Sequence, residues 1–430
     1  MQRIPEILTT EILENLIDEN LSNNEMFIDI VPVSAYGPGL FLRLLQHIAT
    51  RLRNCEKIVI SLYIDERDEH FILSNFYQYY QVLAIILLGK DMPNVQFFNK
   101  NGSAINHSRL SSQCIVRLNL QEQLYSLTFE NGDLTDAPKN QLQELRQALF
   151  SDRGDEKERH GLTMFIPNFD HIPALNGTSY FYSADKSLRS KKEIISWITK
   201  VFRYNRLKLR EGLYRNETHN DIGILIKELF DNTDEWARTT FDDSNEYQKN
   251  LRGCYINILM ENRVKLQLRA NTDTVTDYIS RLTNTLPHEL GIPSWQSELY
   301  PDTKIGLCEI SMIDVGPGMA RRWLQKDYNK IGGNEEIAAV INCFNKYVTS
   351  DRSGRYEVRG RGLNNVIKVI GNNGFLSVRS GHVSLFRNFL QDRLRQEEVD
   401  GAGLSFKAEV KGLVEGTVVT ILYPFLYRNE

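Results

Sequence analysis

Glu228 and Asn232 stand four residues apart in Glu228-Leu229-Phe230-Asp231-Asn232-Thr233-Asp234-Glu235-Trp236-Ala237, a stretch with helical periodicity. At 3.6 residues per turn both project from one face. A carboxylate able to take a proton from water and a carboxamide oxygen able to ligate magnesium would then share a pocket. Two glycine-rich turns follow, Asp314-Val315-Gly316-Pro317-Gly318 and Gly360-Arg361-Gly362-Leu363. Asp314 opens a bend in which Gly316 and Gly318 let backbone come close to a flat ring. Gly360 and Gly362 open a helix whose unpaired N–H groups can hold phosphate. Each motif alone is common; their order along the chain carries the signal.

The elements that must position these residues can be read from periodicity. In the second half a helix over 221–238 is followed by a strand over 254–260, a polar and partly helical insert over 264–304, and a strand over 307–313. The first glycine turn comes next. A long stretch, 320–359, holds two helix-like pieces (321–328 and 335–347), and the second glycine turn opens a helix over 363–370. The last strand carries Gly416-Thr417-Val418-Val419-Thr420-Ile421.

The first half alternates differently. An opening helix over 10–20 precedes strand patterns at 26–33, 57–64 and 95–98, with helices starting at Leu40 and over 71–88, which predicts an α/β layer. The turn Gly37-Pro38-Gly39 lacks the Lys-Ser/Thr ending of a P-loop and reads as a plain strand-to-helix turn. Another helix at 141–150, a charged turn at 152–160, a strand at 162–166 and an irregular stretch at 168–182 complete it. Between Lys186 and Arg215 ten Lys or Arg face only Glu193 and Glu211. Ile194, Ile198 and Phe202 recur there at core spacing, so a docked helix with a solvated basic face is favoured over a nucleic-acid surface, which stays open.

Composition sets bounds. With 430 residues, 41% hydrophobic, 25% charged and a formal charge of -4, the chain has the make-up of a soluble two-domain protein. Cys55, Cys114, Cys254, Cys308 and Cys343 are scattered, with no C-x-x-C pair, and read as reduced thiols. The longest apolar run, at 82–88, is too short for a bilayer, and residues 1–7 carry no secretion signal, so a cytoplasmic location without membrane contact is expected. The expected domains are 1–185 (α/β, role unread), 186–204 (basic connecting helix) and 205–430 (the nucleotide domain).

The order helix, strand, insert, strand, glycine turn, variable stretch, glycine turn, helix, strand resembles the GHKL ATPases: gyrase B subunits, ninety-kilodalton heat-shock chaperones, MutL proteins and histidine kinases. The resemblance covers roughly 205–425. It implies a Bergerat-type α/β sandwich, a mixed sheet covered by helices, that binds ATP and magnesium. It further implies that Glu228 orients and deprotonates the attacking water, that Asn232 binds magnesium through its side-chain oxygen, and that Asp314 accepts the adenine amine. Gly316 and Gly318 would curl beside the base, with Met319 as an apolar wall. Gly360, Arg361, Gly362 and Leu363 would meet the phosphates beside Arg355 and Arg359, and Thr417 would lie near Asp314 and adenine. Stretch 320–359 would be the lid over the triphosphate. Where many members carry Asp three residues after the magnesium ligand, this chain has Glu235, with Asp234 one position earlier, so the hydrogen bonds beneath adenine are expected to differ. His219 reads as a surface or capping residue.

Three functions follow. A Mg-ATP hydrolase that acts as a conformational or assembly switch, as a homodimer or with a partner protein, is favoured because an acid stands at position 228. A serine/threonine kinase resembling the anti-sigma kinases shares the E-x-x-x-N box. An ATP sensor without turnover is disfavoured by the same acid. Pro287-His288-Glu289-Leu290 superficially resembles a phosphoacceptor box but lies between the first two motifs, and reads as a loop.

Overall fold

The computed structural model describes residues 2–4, 12–13, 15, 25–30, 38–52, 57–64, 94–99, 102–103, 128–129, 132–133, 161–169, 181–183, 187–204, 208–209, 213–247, 250–259, 274–284, 304–345, 362–400 and 403–428. The helices expected at 71–88 and 141–150, the charged turn at 152–160, Pro287 to Leu290, Gly360 and Arg361 lie outside them, as do Arg355, Arg359, Cys55 and Cys114.

Two sheets organise the chain. The first joins β1 (Gln2–Ile4), β2 (Glu25–Ile30), β3 (Lys57–Ile64) and β4 (Asn94–Asn99), in that order and parallel throughout. Parallel neighbours need a crossover, and the helix between β2 and β3 is α1 (Leu40–Leu52). A short ribbon pairs β5 (Thr128–Phe129) with β6 (Gly132–Asp133).

The second sheet is built from β7 (Gly161–Phe169), β8 (Lys208–Leu209), β9 (Leu251–Leu259), β10 (Lys304–Asp314), β11 (Phe375–Asn388) and β12 (Lys407–Arg428). Its order is β11-β12-β10-β9-β7, with β8 added beside β12. Every pairing in it is antiparallel, where a mixed sheet was expected. β7 comes from the segment assigned to the first domain, yet it pairs with β9 along its whole length, Gly161 to Phe169 against Leu259 to Leu251. A boundary at 185 therefore does not separate the two sheets.

Strand alternation gives the sheet two apolar faces, and both are covered. On one, Cys254, Ile256, Cys308, Ile310, Val419 and Ile421 meet α2 (Lys191–Tyr204), α3 (Leu213–Trp236) and α7 (Gly362–Ile370) in one continuous core. α3 points Ile222, Leu225, Ile226, Leu229 and Phe230 inward at helical spacing, and Phe230 stacks on Phe181 with ring centroids 3.7 Å apart. Tyr423 of β12 donates to Asp221 Oδ2 at 2.6 Å, pinning the middle of α3 to the sheet. α7 buries Val366, Ile367 and Ile370 fully, each adding roughly 1.5–3 kcal/mol relative to exposure. α2 is the basic connector: Ile194 and Ile198 are buried in this core while Lys191 and Lys192 are exposed, the docked arrangement.

On the opposite face α4 (Thr274–Asn284) packs Tyr278, Ile279 and Leu282 against Leu259, Leu307, Phe375 and Leu422. α1 lies beside it. As a crossover of the first sheet that also packs on β10 and β12, α1 is buried nearly all round, including Gln46, His47 and Arg51. Arg43 donates to Ser377 Oγ at 2.6 Å, and Gln46 Nε2 to the carbonyls of Arg379 and Glu415 at 3.2 and 3.1 Å. The Glu415 amide donates to Thr50 Oγ1 at 2.9 Å.

The remaining helices are α5 (Met319–Leu324), α6 (Gly333–Asn342) and α8 (Gln396–Asp400). α5 and α6 occupy the start of the expected lid, but Ala320, Ala339, Val340 and Phe344 belong to the main core. Buried Glu336 of α6 accepts the backbone N–H of His382 at 2.8 Å and contacts its Nδ1 at 3.0 Å. Residues 319–345 are thus built into the domain rather than laid over it, because their apolar positions meet β11. His219, expected at the surface, is buried at 5% exposure inside α3, which starts at Leu213 rather than 221.

Candidate functional site

Glu228 and Asn232 share the half-buried side of α3 that faces α7. The Asn232 amide donates through Nδ2 to the Glu228 backbone carbonyl at 2.5 Å. Only the NH2 end can serve a carbonyl, so this bond orients the side chain and turns Oδ1, an oxygen of the kind that can ligate a hard cation, away from the helix backbone. α7 begins at Gly362, and a methyl there would stand 3.0 Å from both Glu228 Oε2 and Asn232 Nδ2. The glycine is what lets the α7 N-terminus close on the two side chains. Leu363 is buried as part of the core and anchors that turn. One turn into α7, Asn365 Nδ2 donates to Glu228 Oε1 at 3.0 Å.

The first glycine turn lies at the far end of α3. A Cβ on Gly316 would meet Ala237 at 2.7 Å, so the turn abuts the helix's last residues. Asp314 is 8% exposed and its Oδ1 accepts the Gly316 N–H at 2.9 Å, an Asx-type turn that sets the bend. Gly318 has φ +82, and a side chain there would strike Tyr328 Oη at 2.3 Å. Met319, half-buried, starts α5 and donates its N–H to Ser380 Oγ at 2.9 Å.

Register brings Thr417 directly opposite Asp314, on neighbouring strands and the same face. Ser380 is Thr417's partner on β11, with the two hydroxyls 3.1 Å apart, and Arg252 is Asp314's partner on β9. A row of Ser380, Thr417, Asp314 and Arg252 thus crosses four strands beneath the turn. Gly416, with φ +73, permits the approach: a Cβ would be 2.0 Å from the Asp314 carbonyl oxygen.

Glu235, expected at the ring-binding end, is exposed. The inward carboxylate is Asp234, which accepts from Arg252 at 2.7 Å and Arg238 at 2.6 Å, and from the Tyr182 hydroxyl. Helical phase decides this: Asp234 lies four residues from Phe230, on the sheet side, and Glu235 one step round toward solvent. Arg252 is fully buried, its guanidinium 5.5 Å from the Phe230 ring centroid, so Asp234 serves a structural ion pair.

The structure therefore brings together Glu228, Asn232, Gly362 and Leu363 at one end and Asp314, Gly316, Gly318, Met319 and Thr417 at the other. It does not bring in Glu235. Sequence reasoning missed Asn365, whose signal is its place one turn beyond Gly362, and Ser380, which only strand register reveals. Arg321 follows the glycine turn but is engaged by Asp327 at 3.1 Å and Glu415 at 3.6 Å.

Gly39, the last residue of the Gly37-Pro38-Gly39 motif, meets an anion, and the anion is the protein's own. Gly39 N–H donates to Oε1 of Glu309, in the middle of β10, at 2.6 Å. Asn257 and Ser311 also donate to this carboxylate, each at 3.3 Å. Burial pushes the Glu309 carboxyl up to about 7 against these three bonds. Burial, with Arg51 and Arg379 nearby, pushes His47 of α1 down to about 3. Cys254 and Cys308 are buried free thiols whose ionisation burial opposes.

No family model, no curated protein and no solved structure matches the chain. Among the described residues no helix is long and apolar enough to cross a membrane, and no group of three or more His, Cys, Asp or Glu side chains could hold a metal ion.

Proposed function

We propose that this chain binds Mg-ATP in a Bergerat-type site and hydrolyses it slowly, as a conformational or assembly switch. The observation that carries the reading is the closure of Gly362 onto Glu228 and Asn232, because it joins a proton acceptor, a cation ligand and a helix N-terminus that lie far apart in sequence. Glu228 and Ala237, which lies at the first glycine turn just past the end of α3, are nine residues apart, about 13.5 Å of helix axis at ~1.5 Å per residue. That separation is on the scale of a nucleoside triphosphate laid along α3, with the base over the Asp314–Thr417–Ser380 row.

The residues present fit such a ligand. Asp314 and Thr417 offer acceptor and hydroxyl to a base edge, the α7 N-terminus offers N–H groups to phosphate, and Glu228 Oε2 faces the phosphate end to receive a proton from water. Asn232 supplies one oxygen, so a magnesium ion would take its other ligands from phosphate and water, and would offset charge at the phosphates.

The test is phosphate release from γ-labelled ATP with magnesium, for wild type, Glu228→Ala and Asn232→Ala, with ATP binding measured separately and the reaction also run on a protein gel. Glu228→Ala should lose release by about 100-fold or more while still binding ATP. Asn232→Ala should weaken magnesium-dependent binding. Label on a protein hydroxyl would replace the hydrolase with a kinase; ATP binding with neither release nor label would leave a sensor; absence of ATP binding would end the reading.

A further inference from the structure

We infer that Asn365 is a positioning residue for the Glu228 carboxylate. The inference rests on the nucleotide-hydrolysing reading of this site and adds to it a part the sequence motifs do not contain. The geometry is specific. An ionised carboxylate only accepts hydrogen bonds, and Asn365 Nδ2 occupies Oε1 at 3.0 Å, leaving Oε2 on the side of Gly362 and Asn232. A glutamate on a helix has three rotatable side-chain bonds, and a donor from a second helix removes most of that freedom before substrate arrives.

Asn365 is itself well held. Its neighbours Asn364 and Val366 are buried and α7 packs along α3, so the backbone that carries Asn365 is held in place. Gly362 lies three residues earlier on the same helix, one turn away. The helix that would receive the phosphates at its N-terminus thus also holds the base, and alignment of Glu228 depends on how α7 sits. The charged side chains next to Glu228 on α3 are Lys227 and Asp231, which pair with each other, and α7 presents Asn365 as the hydrogen-bond donor to it.

The experiment uses the full chain and γ-labelled ATP with magnesium, reading phosphate release across pH and, separately, ATP binding by equilibrium dialysis. Asn365→Ala should lower turnover about 10- to 100-fold with ATP affinity unchanged. Asn365→Asp keeps the shape but sets an acid against Glu228. It should lower turnover as well and also move the acidic limb of the pH–rate profile to higher pH, since two touching carboxyls share a proton. Asn365→Gln retains an N–H donor and should recover part of the loss. If Asn365→Ala fails to fold, the Asp and Gln variants decide.

Wild-type turnover and an unshifted profile in Asn365→Asp, in a preparation where Glu228→Ala is inactive, would overturn the inference and leave the hydrolase standing. Undiminished phosphate release in Glu228→Ala would overturn both.

Discussion

At the residue scale, one step of helical phase separates two acids with different fates. Asp234 turns toward the sheet and neutralises fully buried Arg252, while Glu235 is exposed. Removing one partner of such a pair leaves an uncompensated charge. Asp234→Ala should destabilise the protein by about 3 kcal/mol. Glu235→Ala should stay within about 0.5 kcal/mol and leave ATP affinity unchanged. Urea denaturation and a binding titration on both variants check this; equal destabilisation by the two would show that helical phase does not separate their roles, and a loss of ATP affinity in Glu235→Ala would place Glu235 at the site. The same phase argument makes Glu228 and Asn232 legible from spacing alone, since four residues is close to one turn. Asn365 was not legible, because its partner lies on another helix far away in sequence.

At the element scale, α1 is tied to the second sheet through titrating groups with opposite signs. Glu309 is raised from 4.5 to about 7, so between those values the folded chain keeps a proton that the unfolded chain has released, and stability falls as pH rises. His47 is lowered from 6.5 to about 3, so there the unfolded chain holds the extra proton, and stability falls as pH drops. The windows overlap between 4.5 and 6.5, where the two slopes oppose. These two groups therefore leave a plateau across the overlap, a loss above it from Glu309 and a loss below it from His47. Over its whole window Glu309 contributes on the order of 3 kcal/mol, most of it inside the overlap, so the fall left above the overlap is under about 1 kcal/mol. Glu309→Gln keeps an acceptor for Gly39 and should abolish the fall above the overlap and leave the His47 slope unopposed through it; His47→Gln should abolish the fall below the overlap and leave the Glu309 slope unopposed. Urea midpoints across pH read both, and curves parallel to wild type would show that neither group titrates as described.

At the scale of the whole molecule, the division into two domains does not follow the chain. β7 and α1 both come from the first half, yet one extends the second sheet at its edge and the other covers one of its faces. A fragment spanning 205–430 would lose β7 from beside β9, α1 from the back face and α2 from the main core, exposing apolar surface and an open strand edge. It should be aggregated or molten, while the full chain is folded and monodisperse. Circular dichroism with size-exclusion chromatography decides; a cooperative, monodisperse 205–430 fragment would show that the sheet is sufficient without its N-terminal cover. The link also has a functional side. Gln46 and Thr50 grip the backbone of Glu415, two residues before Thr417, so the first half of the chain touches the strand that would carry base recognition.

What the sequence by itself determined are features set by local chemistry. The strands near 26, 57, 95, 254 and 307 and the helices at Leu40 and Gly362 follow from apolar periodicity. Glu228, Asn232, Asp314, Gly316, Gly318 and Gly362 stand out as candidates by spacing and by the special backbone freedom of glycine. The resemblance implied Thr417 near Asp314, but only the tertiary structure decided that the two are register partners with Ser380 beside them, because strand register is a long-range choice. The same holds for Asp234 serving Arg252, for Asn365 reaching Glu228, and for 319–345 packing into the core. Gly39 makes the point most plainly. A helix N-terminus attracts an anion by local physics alone, but that the anion is Glu309, some 270 residues away, depends on how the two sheets pack around α1.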